Sequence, residues 1–426
     1  MRRNMVAVAG VFVMVLAGGV AAGDWPAFRG PNGDGDAGDA DLPVSWSETE
    51  NVVWKTAIPH VGWSTPTVLE GRVWVTTATA EGNDFHVLCL DVETGEVLFQ
   101  ERLFHCADPE PLGNNVNGYA SPSVALEPGR AYIHFGTYGT ACLDSKTKRV
   151  LWRREDIHCR HYRGPGSSPF IFEDLLILSM DGVDVQYMIA LNKDTGETVW
   201  RTDRTTVWTD LDENGIPKRD GDARKAFSTP RIFEVDGKPQ LFSLASSAAY
   251  AYDPYTGKEL WKVAHEGHSS SPSPLYYDGL AYVLTGYNHS GVWAVRVDGA
   301  GDVTDTHVAW RYAEKTVPQT PSPLIVDGLM YLVSNQGAAT CLDAKTGAEI
   351  WSERIGGSYM ASPIHASGRL YCFSSQGRSM VLKAGRTFEL LAENELDEGF
   401  LASPAVAGDA LLLRTKTHLY RIENKE

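Results

Sequence analysis

Beyond Met5 to Val20, no run in this chain is apolar enough and long enough to cross a membrane as a helix. No long stretch shows helical periodicity, which excludes a helix bundle. Positive charge is short: 38 Lys and Arg stand against 54 Asp and Glu, a net charge of −16, which argues against nucleic acid and anionic membrane surfaces as partners. Catalytic triads, phosphate loops and nucleophile elbows are missing. The Gly-rich Arg163-Gly164-Pro165-Gly166 precedes a strand, so it lacks the helix N-terminus that phosphate binding needs.

What the chain has is repetition. The phrase Ala190-Leu191-Asn192-Lys193-Asp194-Thr195-Gly196-Glu197-Thr198-Val199-Trp200 recurs at Ala251 to Trp261, Cys341 to Trp351, Cys89 to Phe99 and, with Lys148 in the glycine slot, Cys142 to Trp152. Apolar alternation on both sides of a side-chain-capped turn, ended by a residue able to take positive φ, describes a β-hairpin. Before each hairpin stands Ser/Thr-Pro, a strand, a turn and another strand, so each unit has four antiparallel strands.

The Ser/Thr-Pro starts at Pro66, Pro122, Pro169, Pro230, Pro274, Pro323, Pro363 and Pro404 count eight units. The last stops after three strands, while Val52 to Lys55 is a lone strand with its Trp. The expected fold is an all-β, eight-bladed β-propeller over residues 51–426, closed by pairing of Val52 to Lys55 with Leu419 to Ile422. Upstream, a basic start, the apolar run and Val20-Ala21-Ala22-Gly23 form a signal peptide, residues 1–23. The protein is therefore expected to be exported, periplasmic or secreted, with no lipid-anchor cysteine and as a monomer. Residues 24–50, with Asp34, Asp36, Asp39 and Asp41, are expected as a flexible acidic arm.

Cys89, Cys142 and Cys341 fill the slot held by Ala190 and Ala251, so they read as small core residues, as does Cys372 in its strand. Cys106 and Cys159 each follow a His in equivalent connectors of adjacent blades; a disulfide between them is expected, with a metal site shared with His105, His158 and His161 as the alternative. Asp210, Asp212, Asn214 and Ile216 match the first half of a calcium loop, but Gly221 stands where a bidentate Glu belongs. That segment is either a calcium site or an ordinary acidic loop.

Residues just before each innermost strand gather around a propeller's axis. Trp63, Tyr119 and Phe227 lie three residues before their prolines, Tyr359 and Phe400 four before, with His161, Arg163, Arg224, Lys225, His268 and Gln319 nearby. Aromatic faces beside cationic donors suit a flat anionic or polar ligand. The competing reading is a capped core with solvated basic connectors.

The repeated phrase is similar to the tryptophan-docking motif of quinoprotein dehydrogenases, shared by the non-catalytic BamB propeller. Asp24-Trp25-Pro26-Ala27-Phe28-Arg29-Gly30-Pro31 resembles the opening of PQQ-binding-like β-propeller repeat proteins. The resemblance covers essentially the whole mature chain. It implies the fold and, for the dehydrogenases, pyrroloquinoline quinone on a calcium ion held by Glu, Asn and Asp, with a disulfide between adjacent cysteines. No Cys-Cys dipeptide occurs here and no motif carries those ligands over. The expectation is a non-enzymatic extracytoplasmic scaffold for a protein or glycan partner; the alternative is a quinone-dependent alcohol or sugar oxidoreductase with a reduced site.

Overall fold

The computed structural model describes residues 23–113 and 116–425; apart from Gly23, the expected leader lies outside them. Eight antiparallel sheets form the ring. Blades 1 to 7 span residues 67–105, 125–154, 170–203, 231–264, 275–312, 324–354 and 364–395. Blade 8 combines Ala405–Ala407, Ala410–Arg414 and His418–Ile422 with the N-terminal strand Val52–Ala57 as its outermost member. Trp54 lies across from Arg421, Lys55 from Tyr420 and Thr56 from Leu419, so the first strand closes the ring as expected. Among the described residues, no helix is long and apolar enough to cross a membrane.

The repeated phrase works as read. Oδ1 of Asp91, Asp144, Asn192, Asp253 and Asp343 accepts the backbone N–H groups two and three residues on, and the residue that follows takes a φ of 70°, 66°, 75°, 69° and 73° at Gly95, Lys148, Gly196, Gly257 and Gly347. The small residue is small because the aromatic faces it across the hairpin: Ala190 pairs with Trp200, Ala251 with Trp261, Cys142 with Trp152 and Cys341 with Trp351.

Trp54, Trp152, Trp200 and Trp310 then lie on a turn glycine of the next blade, whereas Trp261 donates to Gln240 Oε1 of its own blade. The Trp54 indole lies on Gly95, where a Cβ would fall 2.6 Å from the ring, and its N–H donates to Val92 O at 3.0 Å. Trp152 repeats this with Gly196 and Lys193 O, and Trp200 with Gly257 and Pro254 O. Glycine is required by both the left-handed φ and the indole above it. Where blade 1 carries Phe99 in place of Trp, blade 2 carries Lys148 in place of Gly, so both partners of the contact change together.

A second belt runs around the axis. Two residues before each innermost strand stand Thr65, Ser123, Ser168, Thr229, Ser273, Ser322, Ser362 and Ser403. Six backbone N–H groups of this set donate to the hydroxyl of the following blade, each at 2.9 Å. These bonds satisfy N–H groups that face no partner strand.

Residues 24–50 are not a flexible arm; they are packed into the ring. Trp25, Leu42 and Trp46 are buried, and Trp25 exchanges both backbone hydrogen bonds with Val68. Leu126 N–H donates to Pro26 O, while Gly35, Ala37 and Gly38 bond along the innermost strand of blade 7 at His365 and Ser367. Innermost strands present a free edge toward the axis, and this segment covers it. The Arg29 guanidinium, 1% exposed, donates to Pro323 O and Pro363 O of blades 6 and 7. The aspartates that suggested disorder are engaged as well: Asp36 pairs with His365 at 2.8 Å, and Asp41 with Arg369.

Trp152→Ala should cost about 3–5 kcal/mol, as expected for a large buried aromatic. Gly196→Ala should destabilise the ring through the same contact. Phe99→Trp alone should destabilise, because Lys148 carries a Cβ where the indole would rest, and Lys148→Gly in the same chain should restore stability. Urea denaturation of these variants and of Lys148→Gly alone checks this, and additive effects of Phe99→Trp and Lys148→Gly would contradict the coupling.

Candidate functional site

The strands before which residues gather lie around one channel. Counting four residues back from each innermost strand gives Trp63, Ser121, Gly166, Phe227, Ser271, Thr320, Met360 and Leu401, and all eight line a single cavity of about 390 Å³ at the channel mouth. Phe28, delivered by the N-terminal segment, lines it too, so the plug forms part of the wall. Arg163, Asp222, Lys225, His268 and Tyr287 complete its polar side.

Of the residues expected at the axis, Trp63, Arg163, Lys225 and Phe227 line this cavity, and His268 joins them. Tyr119, His161, Arg224, Gln319 and Tyr359 do not. In blade 2 the proline sits two positions early: the strand begins at Ala125 after Val124, so Pro122 is a misleading origin for counting. Tyr119 instead packs against Phe85 and Tyr138 and donates its hydroxyl to Glu110 O. Tyr359 and Phe400, one residue before the lining position, face the opposite way and are each 1% exposed, because side chains alternate along an extended segment. Arg224 is held by Asp210 at 2.5 Å with Trp208 beneath it, and Gln319 bonds Ser290 and, through its backbone N–H, Asn335. His161 is buried, accepts from Thr137 N–H and has its pKa lowered by burial to about 4. Phe28, Met360 and Leu401 escaped the sequence reading; counting back from the hydroxyl belt rather than from proline is the signal that finds the last two.

The charges in the cavity are partly committed. Lys225, buried, donates to the Asp222 carboxylate and to Asp222 O, and burial lowers its pKa despite that partner. Arg163 stacks over Tyr162 at 4.7 Å, and its nearest ion-pair oxygen is Asp222 Oδ1 at 3.7 Å. His268 meets Ser269 Oγ and Asn288 at 2.9 Å each; burial and then Lys225 hold its pKa below the usual imidazole value.

Metal and disulfide expectations fare differently. Cys106 and Cys159 are free thiols. Although their connectors are equivalent, Cys106 packs against the core between blades 1 and 2 and Cys159 within the core between blades 2 and 3, which keeps them in separate interfaces. Of the alternative metal ligands Cys159 and His161 meet at 3.6 Å, while His105 is on Asp84 and His158 on Thr137. In the acidic loop, Asp210 is taken by Arg224, Asp212 Oδ1 caps Asn214 and Ile216, and their backbone closes a turn rather than a cation cage. No group of three or more His, Cys, Asp or Glu able to hold a metal occurs among the described residues.

A quinone on calcium was tested against the same donors. Calcium takes six to eight oxygens, including carboxylates. The cavity lining offers one carboxylate, Asp222, already held by Lys225 and approached by Arg163. The lining residues do not fit that metal and cofactor pair.

Native alkylation should label Cys106 first. Burial pushes the thiols of Cys142, Cys341 and Cys372 up to about 12 and Cys159 well above its ordinary value, which suppresses the reactive thiolate. Non-reducing mass spectrometry should find six free thiols, and a Cys106 to Cys159 bridge would contradict the packing.

The fold recurs in solved structures of low sequence identity. Quinohemoprotein alcohol dehydrogenase from Comamonas testosteroni superposes with a TM-score of 0.67 at 13% identity, over 95% of this chain and 81% of that one. BamB from Moraxella catarrhalis gives 0.58 at 11%, over 87% and 99%, and a europium-containing methanol dehydrogenase gives 0.65 at 12%, over 93% and 90%. At these identities the likeness establishes the fold alone. A search of curated protein sequences finds no match. The family model described as outer membrane protein assembly factor BamB matches residues 37–156 and 184–426, most of the chain, and the protein belongs to that family.

Proposed function

We propose that this protein is a non-enzymatic scaffold of an extracytoplasmic compartment that holds a protein or glycan partner over its channel mouth. The observation that carries the reading is the state of the cavity's ionisable groups: Asp222 is tied to Lys225, and His268 is bonded at both ring nitrogens. A general base or metal ligand must be free to engage substrate or cation, and none of these is. What the mouth does offer is half-buried aromatic and apolar surface from Trp63, Phe227, Met360 and Leu401 beside an arginine, the composition that anchors binding interfaces. The family's description as an assembly factor supports a protein partner in particular.

The proposal includes export. The expected leader ends at Gly23, and Trp25 is already buried in the ring, so cleavage before Asp24 would leave the plug intact. N-terminal sequencing of the mature protein checks this.

Purified protein mixed with pyrroloquinoline quinone and calcium should oxidise neither alcohols nor sugars; turnover with either would overturn the scaffold reading. Arg163→Ala should weaken partner binding roughly 10- to 100-fold, the value of one or two charge-assisted hydrogen bonds. Arg224→Ala, whose guanidinium serves Asp210 outside the cavity, should leave binding intact.

A further inference from the structure

The channel mouth is two-sided. Arg163, Lys225 and His268 come from the connectors entering blades 3, 4 and 5, while Met360, Leu401 and Trp63 come from those entering blades 7, 8 and 1. In a closed ring of eight, blade 3 faces blade 7, blade 4 faces blade 8 and blade 5 faces blade 1. The cations therefore lie on one side of the axis, with Phe227 among them, and the side across from them carries Met360, Leu401 and Trp63 beside the hydroxyls of Ser362 and Ser403. Phe28 extends the apolar surface across the floor.

The cations differ in what they can still do. Lys225 spends its donors on Asp222, neutralising it. Arg163 makes no side-chain hydrogen bond among the described residues, and its guanidinium is 3.7 Å from Asp222 Oδ1 with 20% of the side chain exposed. Its planar fork is thus shielded, partly desolvated and open to an incoming oxyanion, the geometry at which arginine binds carboxylates and related groups well. Arg163 has only a long ion pair with an Asp222 that Lys225 already holds, so the mouth keeps one positive charge in excess, and that calls for one negative charge. The apolar side chains opposite Arg163 and on the floor call for a hydrophobic body, and about 390 Å³ lies at the small end of small-molecule sites.

We propose that the channel mouth is a binding site for a small amphiphilic monoanion, an oxyanion head carried on an aromatic or branched apolar body, with the head on Arg163 and the body against Trp63, Leu401, Met360 and Phe28. This rests on the reading of the mouth as a binding site that does no chemistry. It adds the class of molecule, or of partner side group, that the mouth selects. A polyanion would be penalised by Asp222, and a neutral apolar molecule would leave Arg163 desolvated without a partner.

The test uses two dyes of similar shape on the full mature chain. 8-Anilinonaphthalene-1-sulfonate carries the anion, and N-phenyl-1-naphthylamine lacks it. The sulfonate should bind at one site per chain with saturable fluorescence. Arg163→Gln should weaken it at least 10-fold while changing the neutral dye by less than about twofold. Leu401→Gln should weaken both dyes. Circular dichroism melts confirm that the variants remain folded, which is expected because both positions lie outside the strands. Unsaturable or multi-site binding, or sulfonate binding indifferent to Arg163→Gln, would overturn the proposal. Turnover with quinone and calcium would instead overturn the non-catalytic reading, whatever the dyes do, so the two failures are separable.

Discussion

An indole laid on a glycine sets the relation of one blade to the next, and the rest of the ring depends on it. The contact needs a turn residue without a Cβ at positive φ, a small residue opposite the indole within its own blade, and a carbonyl one residue past the turn's capping Asp or Asn to receive the indole N–H. Those three demands account for most of the repeated phrase. They also account for Cys89, Cys142 and Cys341, which are there for size and not for sulfur chemistry. The N-terminal strand repeats the contact with the next blade, because Trp54 docks on Gly95 just as Trp152 docks on Gly196, although the residue across from Trp54 is Arg421 rather than a small one. Ring closure is therefore one more copy of the repeated contact. It adds the two-ended pairing of Val52–Ala57 with His418–Ile422 to the blade that chain order leaves incomplete.

Closing a ring creates a second problem at its centre. Eight innermost strands turn free edges toward the axis, where unpaired N–H and C=O groups would be costly. The structure answers it with two devices. The hydroxyl belt satisfies the groups just before the strands, and residues 24–50 thread along the strands themselves, with Trp25 on blade 1, Pro26 on blade 2 and Gly35 to Gly38 on blade 7. Burying Arg29 in that plug costs desolvation, seen in a pKa lowered to about 9, and its donors are spent on carbonyls at the ring's core. The same segment reaches the cavity at the channel mouth, which takes Phe28 as part of its lining.

The repeat made the architecture legible, because each blade states the same constraint again and errors in one copy are corrected by the others. The plug was not legible for the opposite reason. It occurs once, its aspartates and glycines have the composition of a solvated arm, and its partners, such as His365 and Pro363, lie hundreds of residues away. The cavity was half legible. Position before the innermost strand is the right principle, and it recovers Trp63 and Phe227, but proline is a poor ruler. Pro122 is displaced from the belt that Ser123 occupies, and a shift of one residue, as at Tyr359 and Phe400, turns the side chain from the channel into the core. The cysteine pairing failed because equivalence in sequence is not proximity: equivalent sites on neighbouring blades are a whole blade apart.

The two belts around the axis divide labour between folding and recognition. Two residues before the strands, every blade carries Ser or Thr, and six of these hydroxyls accept from the preceding blade's backbone. Two residues further out no backbone bond recurs from blade to blade, though Thr320 touches Met360 and a Cβ on Gly166 would meet Phe227, and the set runs from Gly166 through Ser121 and Thr320 to Trp63, Phe227, Met360 and Leu401. Chemistry at this outer belt can change without disturbing the bonds that close the ring. In this chain the belt sets Met360, Leu401 and Trp63 across the axis from the connectors that bring Arg163, Lys225 and His268 to the same cavity. Specificity here is a property of which blade carries the charge, because the ring fixes what lies opposite.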